Sequence, residues 1–470
     1  MLFAVGAPIM LLAYAYTDFQ FDRDRARAIL ENLPPGSFDR QARLAADPSE
    51  VSMFLASFDA LRTNTWSGLC VQFVLNVSFC YRLKRVVQVY SVSRRRVYNS
   101  GFLERLEQAR VPHPLALIFL TVSAMAIAHT YHAINQSRRL CDSYAECAAY
   151  AYRWESSLYC PCLAFISADK APASYDIWIN PPDATERLRL LTATGDLQVL
   201  YIVNRRLSVW PIELQRCKNL RHMSIEGKSS ETNLVSIPDN LFNDMPILTH
   251  LHLGVHMHLE RLPRLGGLTS LNSISFAVLP SLDMVPDLSP LNHLARVQLM
   301  ALPQVDILPD MPSHLSMFVV HRARVCCNGF LSQCHPTYVA CSELTTATCY
   351  HSSDTTHQPS ARLRALLDKH KSTICARDAA LGPVSLEVSF APIRRERVDQ
   401  CRGDMYRECN LGAPNASIRR GLCYNSRMQA ISCIDSQEQI NLRKTEIARK
   451  IGAPCNPEVE GWLGCSARSR

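Results

Sequence analysis

The sequence predicts an α/β repeat solenoid set between membrane-spanning helices and a cysteine-rich, disulfide-stapled C-terminal module. Three observations predict it: apolar stretches before residue 140, a leucine-like LxxLxL pattern through the middle, and even-numbered cysteine clusters on either side of that pattern. A chain of 470 residues exceeds what one core organises, so about two to four structural units are expected. A composition of 47% apolar and 20% charged residues suits folded material and excludes wholesale disorder.

In chain order, residues 1–16 read as a signal anchor or first transmembrane segment, or as a signal peptide, and residues 17–65 as an external loop. Residues 66–81 read as a transmembrane helix by their flanks. Only Arg62 lies in the fifteen residues before them, whereas six Lys/Arg lie in the fifteen after, the asymmetry of an out-to-in crossing. Residues 82–114 are then a basic cytoplasmic loop, in which Arg82, Lys84, Arg85, Arg94, Arg95, Arg96, Arg105 and Arg110 face only Glu104 and Glu107. Much of the net charge of +8 sits there, pointing to a lipid bilayer as a partner and away from nucleic acid. Residues 115–134 supply the roughly twenty uncharged residues that a helix needs to cross a membrane. This second transmembrane helix returns the chain to the outside. The implied location is the plasma membrane or secretory pathway, with the C-terminal part extracellular or lumenal.

Of the 19 cysteines, Cys70 and Cys80 fall in the expected membrane region. Cys141, Cys147, Cys160 and Cys162 lie in residues 135–187, a cysteine-containing flank of the repeats. Twelve more, Cys326, Cys327, Cys334, Cys341, Cys349, Cys375, Cys401, Cys409, Cys423, Cys433, Cys455 and Cys465, lie in residues 326–466. Even clusters in a chain facing an oxidising compartment are disulfide candidates, with connectivity left open. Cys160-Pro-Cys162 and Cys326-Cys327 are the alternative zinc-chelating pairs, but repeated CxxC spacing is missing, so no metal is expected. Asn135 and Asn415 head glycosylation sequons.

Within residues 188–325, LxxLxL units begin at Leu197, Leu220, Leu248, Leu271, Leu294 and Leu315, with steps of 23, 28, 23, 23 and 21 residues. The long step holds the polar insertion Gly227–Asn233. Each unit continues into a second apolar set at or near proline, such as Ile237-Pro238 and Val285-Pro286. This is the signature of a leucine-rich-repeat solenoid of about six repeats. The asparagine of the usual turn ladder is missing apart from Asn204, so those turns must satisfy their hydrogen bonds otherwise. Cys217 is expected as a packed free thiol on a return segment.

Alternation along each strand puts three rows on the concave face. The first is Val199, His222, His250, Ser273, Arg296 and Met317. The second is Tyr201, Ser224, His252, Ser275, Gln298 and Val319, and the third is Val203, Glu226, Gly254, Ala277, Met300 and His321. Tyr201, His222, His250, His252, Arg296 and Gln298 are the candidate binding residues. At about 4.8 Å per strand the strip is about 24 Å long, suited to a peptide or protein edge. Its histidines also admit a metal or pH-sensing patch, against the plainer reading of tolerated surface positions.

Four motifs carry a family resemblance: Cys326-Cys327-Asn-Gly-Phe-Leu-Ser-Gln-Cys334, Cys401-Arg-Gly-Asp-Met-Tyr-Arg-Glu-Cys409, Gly421-Leu-Cys423 through Cys433, and Gly461-Trp462-Leu463-Gly464-Cys465. With Gly195–Arg205, they make residues 60 to 466 resemble the WLGC-domain proteins of oomycetes. The resemblance implies an anchored or multi-pass membrane protein with leucine-rich repeats, and no activity or cofactor. Trp462 is expected to pack near the bridge of Cys465. The Arg402-Gly403-Asp404 triplet is most simply part of the cysteine framework.

Sequence motifs for hydrolase, metalloprotease, P-loop and kinase chemistry are lacking. The expected function is therefore non-catalytic: a membrane-anchored recognition or adhesion protein binding a protein or peptide, with a cytoplasmic partner needed for any signalling. The alternative is a regulatory ectodomain of a multi-pass transport or enzyme-linked component.

Overall fold

A computed structural model describes residues 23–33, 78, 81–82, 85, 113–153, 157–168, 172–227, 234–331, 334, 349–350, 358–375, 393–412, 420–426 and 430–466. The expected anchor at 1–16, most of the loop at 17–65, nearly all of 66–114, Cys70, Cys80, Cys341 and Asn415 lie outside them. Two compact units are present. One comprises residues 1–20, 52–145 and 149–161, and the other residues 21–51, 146–148 and 162–470.

In the first unit a helix covers His113–Cys141 and is tied by the Cys141–Cys160 disulfide. The Arg153 N–H donates to Ser137 Oγ at 3.4 Å, and Ser137 is buried. Among the described residues, no helix is long and apolar enough to cross a membrane. This corrects the transmembrane assignment of 115–134. The apolar run there is interrupted by His129, His132 and Asn135, and the same helix continues into Gln136, Arg138 and Arg139. Asn135, a glycosylation candidate, lies inside that helix, not in a loop.

The second unit is built on a sheet whose strands follow sequence order. They are β1 (Cys147–Tyr150), β2 (Cys162–Ala168), β3 (Val199–Val203), β4 (His222–Glu226), β5 (His250–Gly254), β6 (Ser273–Ala277), β7 (Arg296–Met300) and β8 (Met317–His321). Every pair from β2 to β8 is parallel. The second and fourth residues of these strands face the core. Leu200, Ile202, Met223, Ile225, Leu251, Leu253, Ile274, Phe276, Val297, Leu299, Phe318 and Val320 are all essentially inaccessible, each stabilising by about 1.5–3 kcal/mol.

This sheet corrects the expected fold class. The described residues form one mostly parallel eight-stranded sheet and not a leucine-rich-repeat solenoid between transmembrane helices. The LxxLxL spacing specifies a strand and its neighbour's register, but not what returns the chain. Between β4 and β8 the described return segments contain no helix. Prolines such as Pro246, Pro263, Pro286 and Pro309 fall throughout them, and each lacks the N–H that a helix would use. Leu241, Phe242, Leu265, Leu288 and Leu291 on these segments close the far side of the core.

The missing asparagines are replaced by main chain. The residue after each strand donates its N–H to the last carbonyl of the next strand: Asn204 to Glu226 at 3.0 Å, Gly227 to Gly254 at 2.8 Å, Val255 to Ala277 at 2.9 Å, Val278 to Met300 at 2.9 Å and Ala301 to His321 at 2.8 Å. The four non-glycine members of that row are left-handed, with φ of 56° at Asn204, 56° at Val255, 57° at Val278 and 60° at Ala301. That conformation costs an L-residue about 1–2 kcal/mol and asparagine less. Val278→Asn is therefore expected to raise the unfolding free energy by about 0.5–1 kcal/mol. Urea titration with an unchanged or lowered midpoint would refute the strain.

The β8 edge is covered. After the helix at Ala361–Lys369, Val320 donates to Thr373, Cys375 donates to Val320, and Lys369 Nζ reaches the Leu315 carbonyl at 2.8 Å. The Cys326–Cys375 disulfide locks this cap. Capping removes the row of unpaired amides that would template association.

The C-terminal module is a three-stranded antiparallel sheet, β9 (Glu408–Asn410), β10 (Arg420–Tyr424) and β11 (Ser432–Ile434), with β10 in the middle. Cys423 and Cys433 are opposite each other, yet they bond to Cys401 and Cys409 respectively. The two bridges form the module's core together with Ile431. Gly421 makes this possible: a Cβ there would lie 2.8 Å from Cys433 Sγ. A third bridge, Cys455–Cys465, closes the chain end. Trp462 packs against the cluster of Leu422, Tyr424 and Leu463, and its indole N–H donates to the Tyr406 carbonyl at 2.9 Å. The helix at Gln437–Arg449 carries buried Leu442, on which Ala28 and Ile29 of the Arg23–Asn32 helix and the following Leu33 pack. A segment far ahead of the sheet thus joins the C-terminal module.

Candidate binding face of the parallel sheet

The β-ladder sets the face residue by residue. Val199, His222, His250, Ser273, Arg296 and Met317 are consecutive register partners, as are Tyr201, Ser224, His252, Ser275, Gln298 and Val319. The six candidate residues accordingly share one face, in two rows. β2 lengthens those rows by Ala164 and Ile166, a strand without the LxxLxL spacing that would have announced it.

Exposure falls along the strands. The first row is open or half-open, whereas Glu226, Ala277 and His321 of the third row are 1 to 2% exposed. Tyr201, offered as a contact residue, is itself buried at 5% exposure.

The His222 and His250 rings stack with centroids 4.5 Å apart and planes 1° from parallel, which two charged rings would resist. Burial and the neighbouring His250 push His222 down to about 4. Burial, and then Arg296, lower His250. In the second row His252 Nε2 lies 3.9 Å from Glu226 Oε2. It rests over Gly254, where a Cβ would lie 2.9 Å from that nitrogen. Gln298 Nε2 donates to Met317 Sδ at 3.5 Å.

A groove of about 530 Å³ opens at the start of β5–β7. It is lined by Thr249, His250, Ser270, Asn272, Ser273, His293 and Arg296. Thr249, Ser270, Asn272 and His293 lie in the turns before the strands, outside the alternation from which face residues were read. Two of them are held by backbone: Thr249 Oγ1 donates to the Arg221 carbonyl at 2.9 Å, and Asn272 Nδ2 to that of His293 at 3.3 Å.

Beneath the face His256 is 1% exposed, and burial pushes it down to about 4. His222 and His256 are bases with pKa values below the ordinary 6.5. Between about pH 6.5 and 4 the unfolded chain therefore binds more protons, and stability falls as pH drops through that window. Urea unfolding from pH 7 to 4.5 is expected to show this slope, reduced in His222→Gln and in His256→Gln. An undiminished slope in both variants would remove the histidines as its cause.

Among the described residues, the two close cysteine trios offer no free thiolates. Two trios, Cys141/Cys147/Cys160 and Cys401/Cys409/Cys423, have sulfurs within 4.8 Å of one another. All six belong to disulfides, among them Cys147–Cys162. Cys160-Pro-Cys162 is thus split between two bridges. Cys334 pairs with Cys349, and Cys327 is also disulfide-bonded. Among the described residues Cys217 is the free cysteine; it is buried, and burial raises its thiol to about 12, which leaves no nucleophilic thiolate at neutral pH.

Arg402 and Gly403 take left-handed conformations, with φ of 51° and 80°. Asp404 is ion-paired to Arg407, so the triplet serves the module's turn.

Neither a curated protein nor a solved structure matches the chain. Its C-terminal module does have a counterpart: residues 396–466, from the helix at Arg395–Asp399 through Trp462-Leu463-Gly464-Cys465, match the family model of the WLGC domain.

Proposed function

We propose that this chain is a non-catalytic recognition protein of an oxidising extracellular or lumenal compartment, binding an extended protein or peptide segment across the open row of the parallel sheet. The observation that carries it is the groove at Thr249–Arg296, continuous with the stacked His222 and His250 on one rigid sheet. Strands spaced about 4.8 Å apart offer successive side chains at a pitch that an extended segment can follow. Disulfides on both sides of the sheet support the compartment.

The test uses the full chain on an array of immobilised random dodecapeptides. His250→Ala combined with Arg296→Ala is expected to weaken retained peptides at least tenfold. Val209→Ser with Ile212→Ser, exposed on a return segment, is expected to leave them unchanged. Equal behaviour of the two variants would move binding off this face, and no retained peptide would end the reading.

A further inference from the structure

The groove before β5–β7 carries an uncompensated charge. Arg296 is exposed in the first row, between Ser273 and Met317, and forms no ion pair with any described residue. Among the described residues, no carboxylate lines the groove. The face's own carboxylate, Glu226, lies in the third row and is buried, about 13 Å further along the strand direction. Around Arg296 stand the His250 and His293 rings and the Ser273 and Ser270 hydroxyls, all able to donate hydrogen bonds.

Asn272 and Thr249 each donate one side-chain hydrogen bond to the backbone, which holds the turns that carry His293 and His250. The groove is therefore preorganised around a single cation and rich in donors. Neutral groups would leave that cation to water, whereas a carboxylate accepts two parallel N–H bonds from a guanidinium and further bonds from imidazole and hydroxyl.

We propose that this groove is a carboxylate subsite, with Arg296 as its anchor and His250, His293 and Ser273 completing the donor set. The ligand group is a carboxylate of the bound peptide, whether an Asp or Glu side chain or a free C-terminus. The inference rests on the peptide-recognition reading for its ligand, but not for its anion chemistry. The two can therefore fail separately.

The first probe is glutarate, added to the full chain while the histidine ring protons are followed by NMR. Saturable shifts at His250 and His293 are expected in the millimolar range appropriate to one charge-assisted contact. Affinity should fall at least tenfold in Arg296→Gln, and the uncharged glutaramide should produce no shift. Absence of shifts with glutarate, or equal shifts with both compounds, would overturn the subsite.

The second probe is the peptide array with each retained sequence remade in two forms: Asp/Glu replaced by Asn/Gln, and the C-terminus amidated. Loss in the first form assigns a side-chain carboxylate, and loss in the second a terminal one. Retention of both forms overturns a carboxylate as the recognised group. Glutarate shifts with no peptide retained would keep the anion site and discard peptide recognition.

Discussion

Arg443→Leu is expected to lower the unfolding free energy by roughly 3–5 kcal/mol, the cost of leaving a buried charge without its partner. Arg443 is 2% exposed and lies between two buried carboxylates. Its Nε meets Glu460 Oε2 at 2.6 Å and its Nη2 meets Glu460 Oε1 at 3.1 Å, while Nη1 meets Glu446 Oε2 at 2.9 Å. The guanidinium also lies 4.5 Å from the centroid of the Tyr406 ring. Burial opposes its charge, but its hydrogen bonds to Glu460 and Glu446 outweigh burial and raise its pKa above the ordinary value. Removing the arginine would strand Glu460 and leave Glu446 with Arg25 alone, whose Nε lies 3.6 Å from Glu446 Oε1. The variant Arg443→Leu/Glu446→Gln/Glu460→Gln should recover part of the loss, because it withdraws the charges together. Urea unfolding decides it: a loss under about 1 kcal/mol in the single variant would mean that the network is solvated and structurally idle.

The same network shows what sequence pattern can and cannot convey. Arg443, Glu446 and Glu460 look in sequence like ordinary solvated charges of a polar helix and its neighbour. Nothing in their spacing signals that Tyr406, from elsewhere in the module, lies over the guanidinium. The strands are the opposite case. Each LxxLxL unit marks a strand by its own residues, and parallel stacking makes equivalent positions partners, so His222 beside His250 was legible before any coordinates. The fold class was not, because it depends on return segments and on the helices near the start. Twenty uncharged residues at 115–134 meet a length criterion, yet the helix that contains them carries His129, His132 and Asn135 and runs on through Arg138 and Arg139 to Cys141.

For the binding face, sequence alternation named the direction of side chains but not their depth. Tyr201 and Arg296 are equivalent in the pattern as face residues, but one is buried and the other exposed. Burial along the strands is set by tertiary cover, which no local period encodes. Asn272 and His293 escaped notice because turn residues have no periodic address. The ladder of left-handed turns could have been suspected: a turn that recurs without asparagine requires the main chain to supply the bond, as Val255 and Val278 do.

Cysteine spacing announced a disulfide framework without its connectivity, and the connectivity now permits a quantitative expectation. Replacing Cys409 and Cys433 together by alanine releases a loop with a sequence separation of 24. The chain-entropy relation gives about 3.5 kcal/mol for that closure. The true loss should not fall below this, because the bridge also fills the core beside Ile431 and the Cys401–Cys423 pair, and deleting buried sulfur leaves a cavity. Cys455–Cys465 spans only 10 residues and closes the chain end, so the same relation predicts a smaller loss for Cys455→Ala/Cys465→Ala. Thermal unfolding of the two double variants should rank them in that order. The reverse order would mean that tethering Trp462 and Leu463 against Tyr424 matters more to the module than the bridges through its sheet, and would shift its organising centre from the β9–β11 sheet to the chain end.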